Sequence, residues 1–224
     1  MSDPSLRWRS LPGNFDTLNT FARYPADNSY GIPIVTPYTG PAPAWLWPYG
    51  ARITTKEPVP GGAMHFYMDD YRFERVWARP IDTLSAIQRA GLVLTPDFSV
   101  YRDWPLALQI FNVYRSRWCG AFWQDHGVTI IPSLSWSTLA SYDFAFAGIL
   151  PGGLVAITAR GLRSPETRVW FERGYRAMLA AVQPSLVLVY GRLPEHLQAL
   201  APFHEYPLQW RGIWPAQRAL RRTP

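Results

Sequence analysis

Short apolar runs recur along this chain, and each is followed by a stretch with the periodicity of an amphipathic helix. Five runs begin 26 to 36 residues apart and end in polar residues. This spacing is typical of β-strands joined by crossover helices, because a tight turn cannot join parallel strands. The runs occupy residues 65–70, 92–99, 128–136, 154–160 and 186–191. We therefore predict an α/β domain with a mostly parallel sheet of about six or seven strands, either an incomplete TIM-like barrel or an open doubly wound sheet.

Two of the intervening helices have clear start and stop signals. One begins with Ser164-Pro165-Glu166, which supplies an N-cap, a proline in the first turn and an acidic first turn, and it stops before Pro184. The other follows Trp104-Pro105 and runs to about Asp125, with Gly127 as its terminator. A wide apolar face is predicted for this second helix. Its members are Leu106, Ile110, Phe111, Val113, Tyr114, Trp118 and Phe122, with Gln109, Asn112, Arg115 and Ser116 at the other positions.

Residues 1–63 differ from the rest because proline and glycine interrupt them throughout. Long helices do not tolerate that spacing, so we predict an irregular segment that caps or edges the sheet. Short strands are expected at 31–35 and 51–55. The α/β domain is assigned to residues 64–210, and residues 211–224 form a basic tail.

The charge balance favours an anionic partner. The chain has 22 Lys and Arg against 16 Asp and Glu, a net charge of +6, and Lys56 is its one lysine. Arginine is suited to gripping phosphate, so the composition points to nucleic acid or a nucleotide. A genome rich in G and C would also replace lysine by arginine, although this would not explain why the net charge is positive. An aromatic content of 15% predicts a ring-rich core with a few exposed rings for stacking.

Several classes of protein are excluded by the sequence. Cys119 is the one cysteine, so an internal disulfide and a cysteine-based zinc or iron–sulfur site are ruled out. Its apolar neighbourhood predicts a buried structural thiol rather than a nucleophile paired with His126. We find no Walker loop, no dinucleotide-binding glycine fingerprint and no Gly-x-Ser-x-Gly elbow. With neither a membrane-length apolar stretch nor a signal peptide, we expect a cytoplasmic protein without a membrane partner.

Acidic residues at the strand ends are the main candidates for chemistry, because parallel α/β folds bind ligands beyond the carboxyl ends of their strands. Asp70, Asp97 and Asp143 are predicted to be catalytic, as acid and base or through a metal. A divalent metal, magnesium or manganese, would be held by Asp69, Asp70 and Asp97. In the structural alternative these carboxylates cap helices or bind loop amides. Strand alternation places Asp69 and Asp70 on opposite faces, and the sequence leaves open which one faces inward.

Further residues are predicted to bind the substrate. Asn112 and Arg115 lie on one face of the long helix and would clamp a phosphate, or else Arg115 pairs with an acid of a neighbouring helix. Arg160 would also meet phosphate, and Trp136 and Tyr190 would supply rings for stacking.

These motifs together resemble a known family. The resemblance covers about residues 28–193 and is most specific at Pro96-Asp97-Phe98-Ser99 and the helix that follows. It also includes Tyr30-Gly31-Ile32-Pro33, His65-Phe66-Tyr67, Asn112, Tyr114-Arg115, Arg117-Trp118, Pro132, Trp136, Asp143-Phe144 and Tyr190-Gly191. The family is domain of unknown function 4417. The resemblance implies a protein of bacteria, phages and mobile elements, and it assigns no catalytic residues.

Two functions from different classes fit these observations. The first is an enzyme that acts on nucleic acid or nucleotides, with metal-assisted phosphoryl chemistry at the strand ends. The second is a non-catalytic binder of a nucleotide, a nucleic acid or a host protein, in which exposed rings and arginines make the contacts.

Overall fold

Seven parallel strands form the centre of the part of the chain that the structure describes. The computed structural model describes residues 8, 10, 12–13, 15–51 and 61–208. The strands are β1 (Trp45–Pro48), β2 (Gly62–His65), β3 (Leu92–Leu94), β4 (Thr129–Ile131), β5 (Leu154–Thr158), β6 (Leu186–Tyr190) and β7 (Phe203–Tyr206). Every pairing between them is parallel. The predicted α/β class and the number of strands are confirmed.

Neighbouring strands follow one another in chain order. One sheet has the order β1-β2-β3-β4 and the other β5-β6-β7. A parallel bridge between Ser133 and Ala156 joins them where β4 has ended. A doubly wound sheet reverses its strand order at a switch point, and no reversal occurs among the described strands. Of the two predicted arrangements, the incomplete barrel therefore describes this fold.

The strands surround a common interior. Every strand contributes a buried side chain to one cluster, and these are Leu46, Ala63, Leu94, Ile131, Leu154, Ala156, Leu188, Tyr190 and Tyr206. The Tyr206 hydroxyl in β7 donates a hydrogen bond of 2.7 Å to the carbonyl of Pro43, just before β1. The last strand is thereby tied to the segment that leads into the first. Alternate residues of each strand fill this interior, and the others face the helices.

The helices cover the outside of the strands. They are α1 (Arg75–Ala78), α2 (Pro80–Ala90), α3 (Leu106–Asp125), α4 (Tyr142–Ala145) and α5 (Pro165–Val182), with 3-10 turns at Asp70–Arg72, Leu139–Ser141 and Glu195–Leu200. Both predicted helices are confirmed. Ser164 caps α5 by accepting a hydrogen bond of 3.1 Å from the amide of Thr167. Among the described residues, no helix is both long enough and apolar enough to cross a bilayer.

The environment of α3 differs from the amphipathic prediction. Its predicted polar positions are all buried, whereas Leu106 and Leu108 are 45% and 50% exposed. The polar side chains are buried because they bind loops on both sides of the helix. Gln109, for example, donates to the carbonyl of Trp104 and accepts from Ser137. The predicted exposure of these positions assumed that polar side chains are hydrogen-bonded by water. In α3 they are hydrogen-bonded by backbone and side-chain groups instead.

The segment before the domain is more involved in the fold than we predicted. It contains β1, and β2 begins at Gly62, so the sheet starts before the expected boundary at residue 64. Residues 31–35 do not form a strand, and Val35 makes a single bridge to Ile149. The run 65–70 is also mostly loop, because β2 ends at His65. The expected strand at 51–55 lies outside the described residues apart from its first residue, and the basic tail 211–224 lies outside them entirely.

Candidate functional site

The loops that follow the carboxyl ends of the strands form what we call the barrel mouth. Loops after β2, β3, β4, β5 and β6 contribute to it. In parallel α/β folds this end gathers side chains from separate segments, because all strands point the same way.

Asp70 links two loops of the mouth. Its carboxylate oxygens accept hydrogen bonds from the amide of Ser99 at 2.9 Å and from the Ser99 hydroxyl at 2.8 Å. The Asn112 side chain donates to the carbonyl of Ser99 at 2.6 Å. Ser99 is therefore held by three hydrogen bonds, which fix the loop after β3 against the loop after β2 and against α3.

Asp97 lies on that fixed loop and is partly buried. Its carboxylate accepts a hydrogen bond of 2.8 Å from the Ser135 hydroxyl, in the loop after β4. Burial raises the pKa of Asp97 to about 7, and the nearby negative charge of Asp70 acts in the same direction. The Ser135 hydroxyl and the cation of Arg117 oppose this rise. At neutral pH the carboxyl group is thus poised between its two forms, the condition that suits a general acid or base.

Arg117 is 2% exposed and binds the backbone beneath the mouth. Its guanidinium group donates to the carbonyls of Ser133 at 2.9 Å, Ala145 at 3.1 Å and Ala147 at 3.4 Å. Burial lowers the pKa of Arg117 to about 10, and the negative charge of Asp97 raises it. The side chain therefore remains charged at neutral pH, and its hydrogen bonds hold the loop after β4 that carries Ser133 and Ser135.

Three rings lie in the barrel interior below these groups: His65 at the end of β2, Tyr67 two residues after it, and Tyr190 at the end of β6. Tyr67 stacks on Tyr190 with ring centroids 5.1 Å apart, and His65 packs against both rings. The His65 Nδ1 accepts a hydrogen bond from the amide of Tyr67, and Nε2 has no partner among the described residues. Burial lowers the pKa of His65 to about 3. The imidazole is therefore neutral at physiological pH.

Arginines border the opposite side of the mouth. Arg160 donates a hydrogen bond of 3.3 Å to the carbonyl of Tyr67, so its side chain reaches from the end of β5 to the loop after β2. Arg163 and Arg192 are exposed, and their side chains have no hydrogen bond or ion pair with the described residues. The amide of Ala159 donates a hydrogen bond of 3.0 Å to the carbonyl of Tyr190, at the point where the two arginine-bearing loops begin. Residues 159–164 and 191–194 contain no Asp or Glu.

We call the loops after β2, β3 and β4 the carboxylate half of the mouth, and the loops after β5 and β6 the arginine half. Of the predicted site residues, Asp70, Asp97 and Arg160 lie at the mouth. Tyr190 lies in the interior just below it. The sequence did not predict the separation of carboxylates and arginines into two halves, which only the tertiary structure shows.

The other predicted acids, Asp69 and Asp143, are both exposed. Asp69 precedes a 3-10 turn, and Asp143 lies in the first turn of α4. In the part of the chain that the structure describes, no three His, Cys, Asp or Glu side chains form a group that could hold a metal ion. Asp70 and Asp97 are close enough for their charges to interact, and the metal set of Asp69, Asp70 and Asp97 stays a prediction.

The predicted substrate contacts on α3 are engaged with the protein. Arg115 forms an ion pair of 2.6 Å with Glu74 and donates to Asn112 at 2.7 Å. Its guanidinium carbon lies 3.8 Å from the ring centroid of Phe98. Trp136 is half-buried and packs against Phe171. These contacts correspond to the structural alternative stated for Arg115, and they brace the loop that carries Asp97.

Sequence reasoning missed the polar residues around the carboxylates. Ser99, Ser133, Ser135 and His65 were not predicted as site residues. A signal was present, because serines follow the proline at the ends of two neighbouring strands, in Pro96-Asp97-Phe98-Ser99 and Pro132-Ser133-Leu134-Ser135. Cys119 is buried, as predicted, and burial raises the pKa of its thiol.

Comparison with known proteins places the chain in a family. Residues 24–207 match the family described as "Domain of unknown function (DUF4417)". The chain is 44% identical over 211 residues to the Gene 1 protein of Mycobacterium phage D29, covering 92% of this chain and 77% of that protein. It is 41% identical over 210 residues to the Gene 1 protein of Mycobacterium phage L5, covering 92% and 91%. No solved structure matches. The resemblance seen in the sequence is confirmed: this chain belongs to the DUF4417 family and is similar to mycobacteriophage Gene 1 proteins.

Proposed function

We propose that this protein is an enzyme that acts on a nucleotide or a nucleic acid at the barrel mouth, with Asp97 as its general acid or base. The observation behind the proposal is the partly buried Asp97 carboxyl, whose pKa of about 7 lies near neutral pH. A group with that pKa transfers protons in both directions at little cost. Its position is fixed by Ser135 and by the hydrogen bonds around Ser99, which reduces the reorganisation required during a reaction.

The arginine half supports a phosphate-bearing substrate. Arg163 and Arg192 are exposed on loops without acidic residues, and Arg160 reaches across the mouth towards the loop that leads to Asp70. A phosphate held by these arginines would place the rest of the substrate over the carboxylate half. The net charge of +6 would further raise the local concentration of a polyanion.

In an alternative form of this proposal, Asp97 is a metal ligand rather than the acid or base, and a divalent metal supplies electrophilic assistance. Magnesium is commonly held by one or two carboxylates together with waters and substrate phosphates. Asp70 and Asp97 would supply two carboxylates, and each still has oxygen lone pairs beyond the hydrogen bonds described above. The substrate phosphate would then complete the coordination.

A non-catalytic binder is the second candidate, and exposed rings near the mouth favour it. Tyr71 and Tyr101, in the loops after β2 and β3, are 80% and 55% exposed. Exposed rings beside arginines stack on bases without any reactive group. A binder would not need a titrating Asp97, so the two candidates differ in what they require of this residue.

The test combines binding and turnover on one set of variants. Nucleoside mono- and triphosphates and short DNA and RNA strands are incubated with the protein, with and without Mg²⁺ or Mn²⁺, and products are separated by chromatography. We expect Asp97→Asn to bind within about threefold of the wild type but to lose at least about 100-fold in turnover. The double variant Arg163→Gln, Arg192→Gln should lose about tenfold in affinity.

Arg89→Gln is the matched control, because Arg89 is exposed in the last turn of α2, which leads into the amino end of β3. It should behave as wild type in both assays. Binding that is followed by no turnover, and that is unchanged in Asp97→Asn, would favour the binder. Absence of binding by every nucleotide and strand would remove both candidates.

A further inference from the structure

A cavity lies away from the mouth, between the segment that precedes β1 and the helix α3. Its volume is about 460 Å³, which falls in the range of roughly 300–1,000 Å³ typical of small-molecule sites. Three rings line it, from Trp8, Tyr24 and Tyr114, together with the guanidinium group of Arg23 and the side chain of Asn28.

The wall of this cavity is held in place by hydrogen bonds. The Asn28 side chain makes two hydrogen bonds to the backbone of Ile32. Its Nδ2 donates to the Ile32 carbonyl at 2.8 Å, and its Oδ1 accepts from the Ile32 backbone N–H at 3.1 Å. The amide of Ile34 donates to the carbonyl of Pro25 at 2.8 Å. Such a loop has little freedom left to lose on binding, and a preformed wall therefore lowers the entropic cost of taking up a ligand.

One charged group of the lining is available for a ligand. Arg23 is exposed and forms no ion pair with the described residues, and its guanidinium carbon lies 4.6 Å from the ring centroid of Trp8. A phosphate would therefore meet a cation that has no competing acidic partner among these residues.

We propose that this cavity is a second ligand site, which binds a planar ring carrying a phosphate group, the chemistry of a nucleoside monophosphate. The rings of Trp8, Tyr24 and Tyr114 offer faces for the base, and Arg23 offers a cation for the phosphate. An apolar ligand would leave Arg23 without an anionic partner, and a bare anion would leave the rings uncovered. The site is independent of the acid–base chemistry proposed for the mouth.

Titration calorimetry with uridine and adenosine monophosphates tests the proposal. Arg23→Gln should weaken binding of both at least tenfold. Uridine without its phosphate should bind wild type and Arg23→Gln equally. Arg89→Gln, an exposed arginine on α2, is the matched control and should bind as wild type.

Hydrogen exchange with and without uridine monophosphate locates the site. Protection should appear in peptides that cover residues 23–33, whatever happens at the mouth. Equal affinity of wild type and Arg23→Gln would overturn the proposal, and so would protection confined to residues 159–163 and 191–193. If Asp97→Asn had the same turnover as wild type, the function proposed for the mouth would fail. The protection at residues 23–33 would still be expected, so the two proposals fail separately.

Discussion

The two halves of the barrel mouth differ in how firmly their side chains are held by the rest of the protein. In the carboxylate half, Asp70 and Asp97 each bind a serine of the next loop, and buried Arg117 holds the backbone beneath them. In the arginine half, Arg163 and Arg192 are exposed and have no side-chain partner among the described residues. One half is thus fixed before any ligand arrives, and the other is free to adapt to it.

This difference fits separate roles for the two halves, chemistry in the carboxylate half and ligand attraction in the arginine half. Groups that take part in chemistry must be held within a fraction of an ångström, which requires surrounding hydrogen bonds. Groups that attract a charged ligand act over a Debye length of about 8 Å and tolerate movement. Variants in the fixed half should therefore change stability and its pH dependence, whereas variants in the adaptable half should change binding alone.

Removing Arg117 should have the largest effect. Arg117→Met deprives the carbonyls of Ser133, Ala145 and Ala147 of their donor, so we expect a loss of about 3–5 kcal/mol in the free energy of unfolding. Urea denaturation followed by circular dichroism measures it. Arg117→Lys keeps the charge but makes fewer hydrogen bonds and should lose less. A loss below about 1 kcal/mol for Arg117→Met would mean that the loops do not depend on this side chain.

Asp97 should make the protein less stable as the pH rises. Its pKa is raised from 3.8 to about 7 in the folded state, so the folded protein binds an extra proton between these values and loses stability as the pH increases through them. Asp97→Asn cannot titrate. Between pH 4 and 8 the free energy of unfolding of wild type should therefore fall by about 3 kcal/mol relative to that of Asp97→Asn. Parallel pH profiles for the two proteins would contradict the buried, titrating carboxyl.

His65 should have the opposite pH dependence. Its pKa is lowered from 6.5 to about 3 on folding, so the unfolded chain binds the extra proton and stability falls as the pH drops below 6.5. His65→Gln removes this titration. Between pH 7 and 5, wild type should lose about 2 kcal/mol relative to His65→Gln, measured by the same urea titrations. If the variant loses as much as wild type, His65 is not held neutral.

The arginine half should give the smallest change in stability. Arg163→Gln and Arg192→Gln, alone or together, should alter the free energy of unfolding by no more than about 0.5 kcal/mol, because exposed side chains without partners contribute little. Thermal denaturation at pH 7 measures this, with Arg89→Gln as a comparison. A loss above 1 kcal/mol would show that these arginines stabilise the fold and that the contrast between the halves is wrong.

Local sequence patterns determined the repeating part of the fold. The apolar runs at 154–160 and 186–191 became β5 and β6 almost without change, and Ser164 and Pro165 began α5 where predicted. These signals are local, because a cap, a helix-starting proline and a run of β-branched residues act on the backbone within a few positions. The sequence also directed attention to the strand ends, where Asp70 and Asp97 lie.

The tertiary structure alone decided the rest. Strand β1 (Trp45–Pro48) contains a proline and no β-branched residue, and it is a strand because it pairs with β2. The polar face of α3 became buried because loops on both sides needed its hydrogen bonds. The pKa of Asp97 depends on burial and on Asp70, 27 residues away in the chain. Pairing, burial and charge proximity act between residues distant in sequence, so no local pattern encodes them by itself.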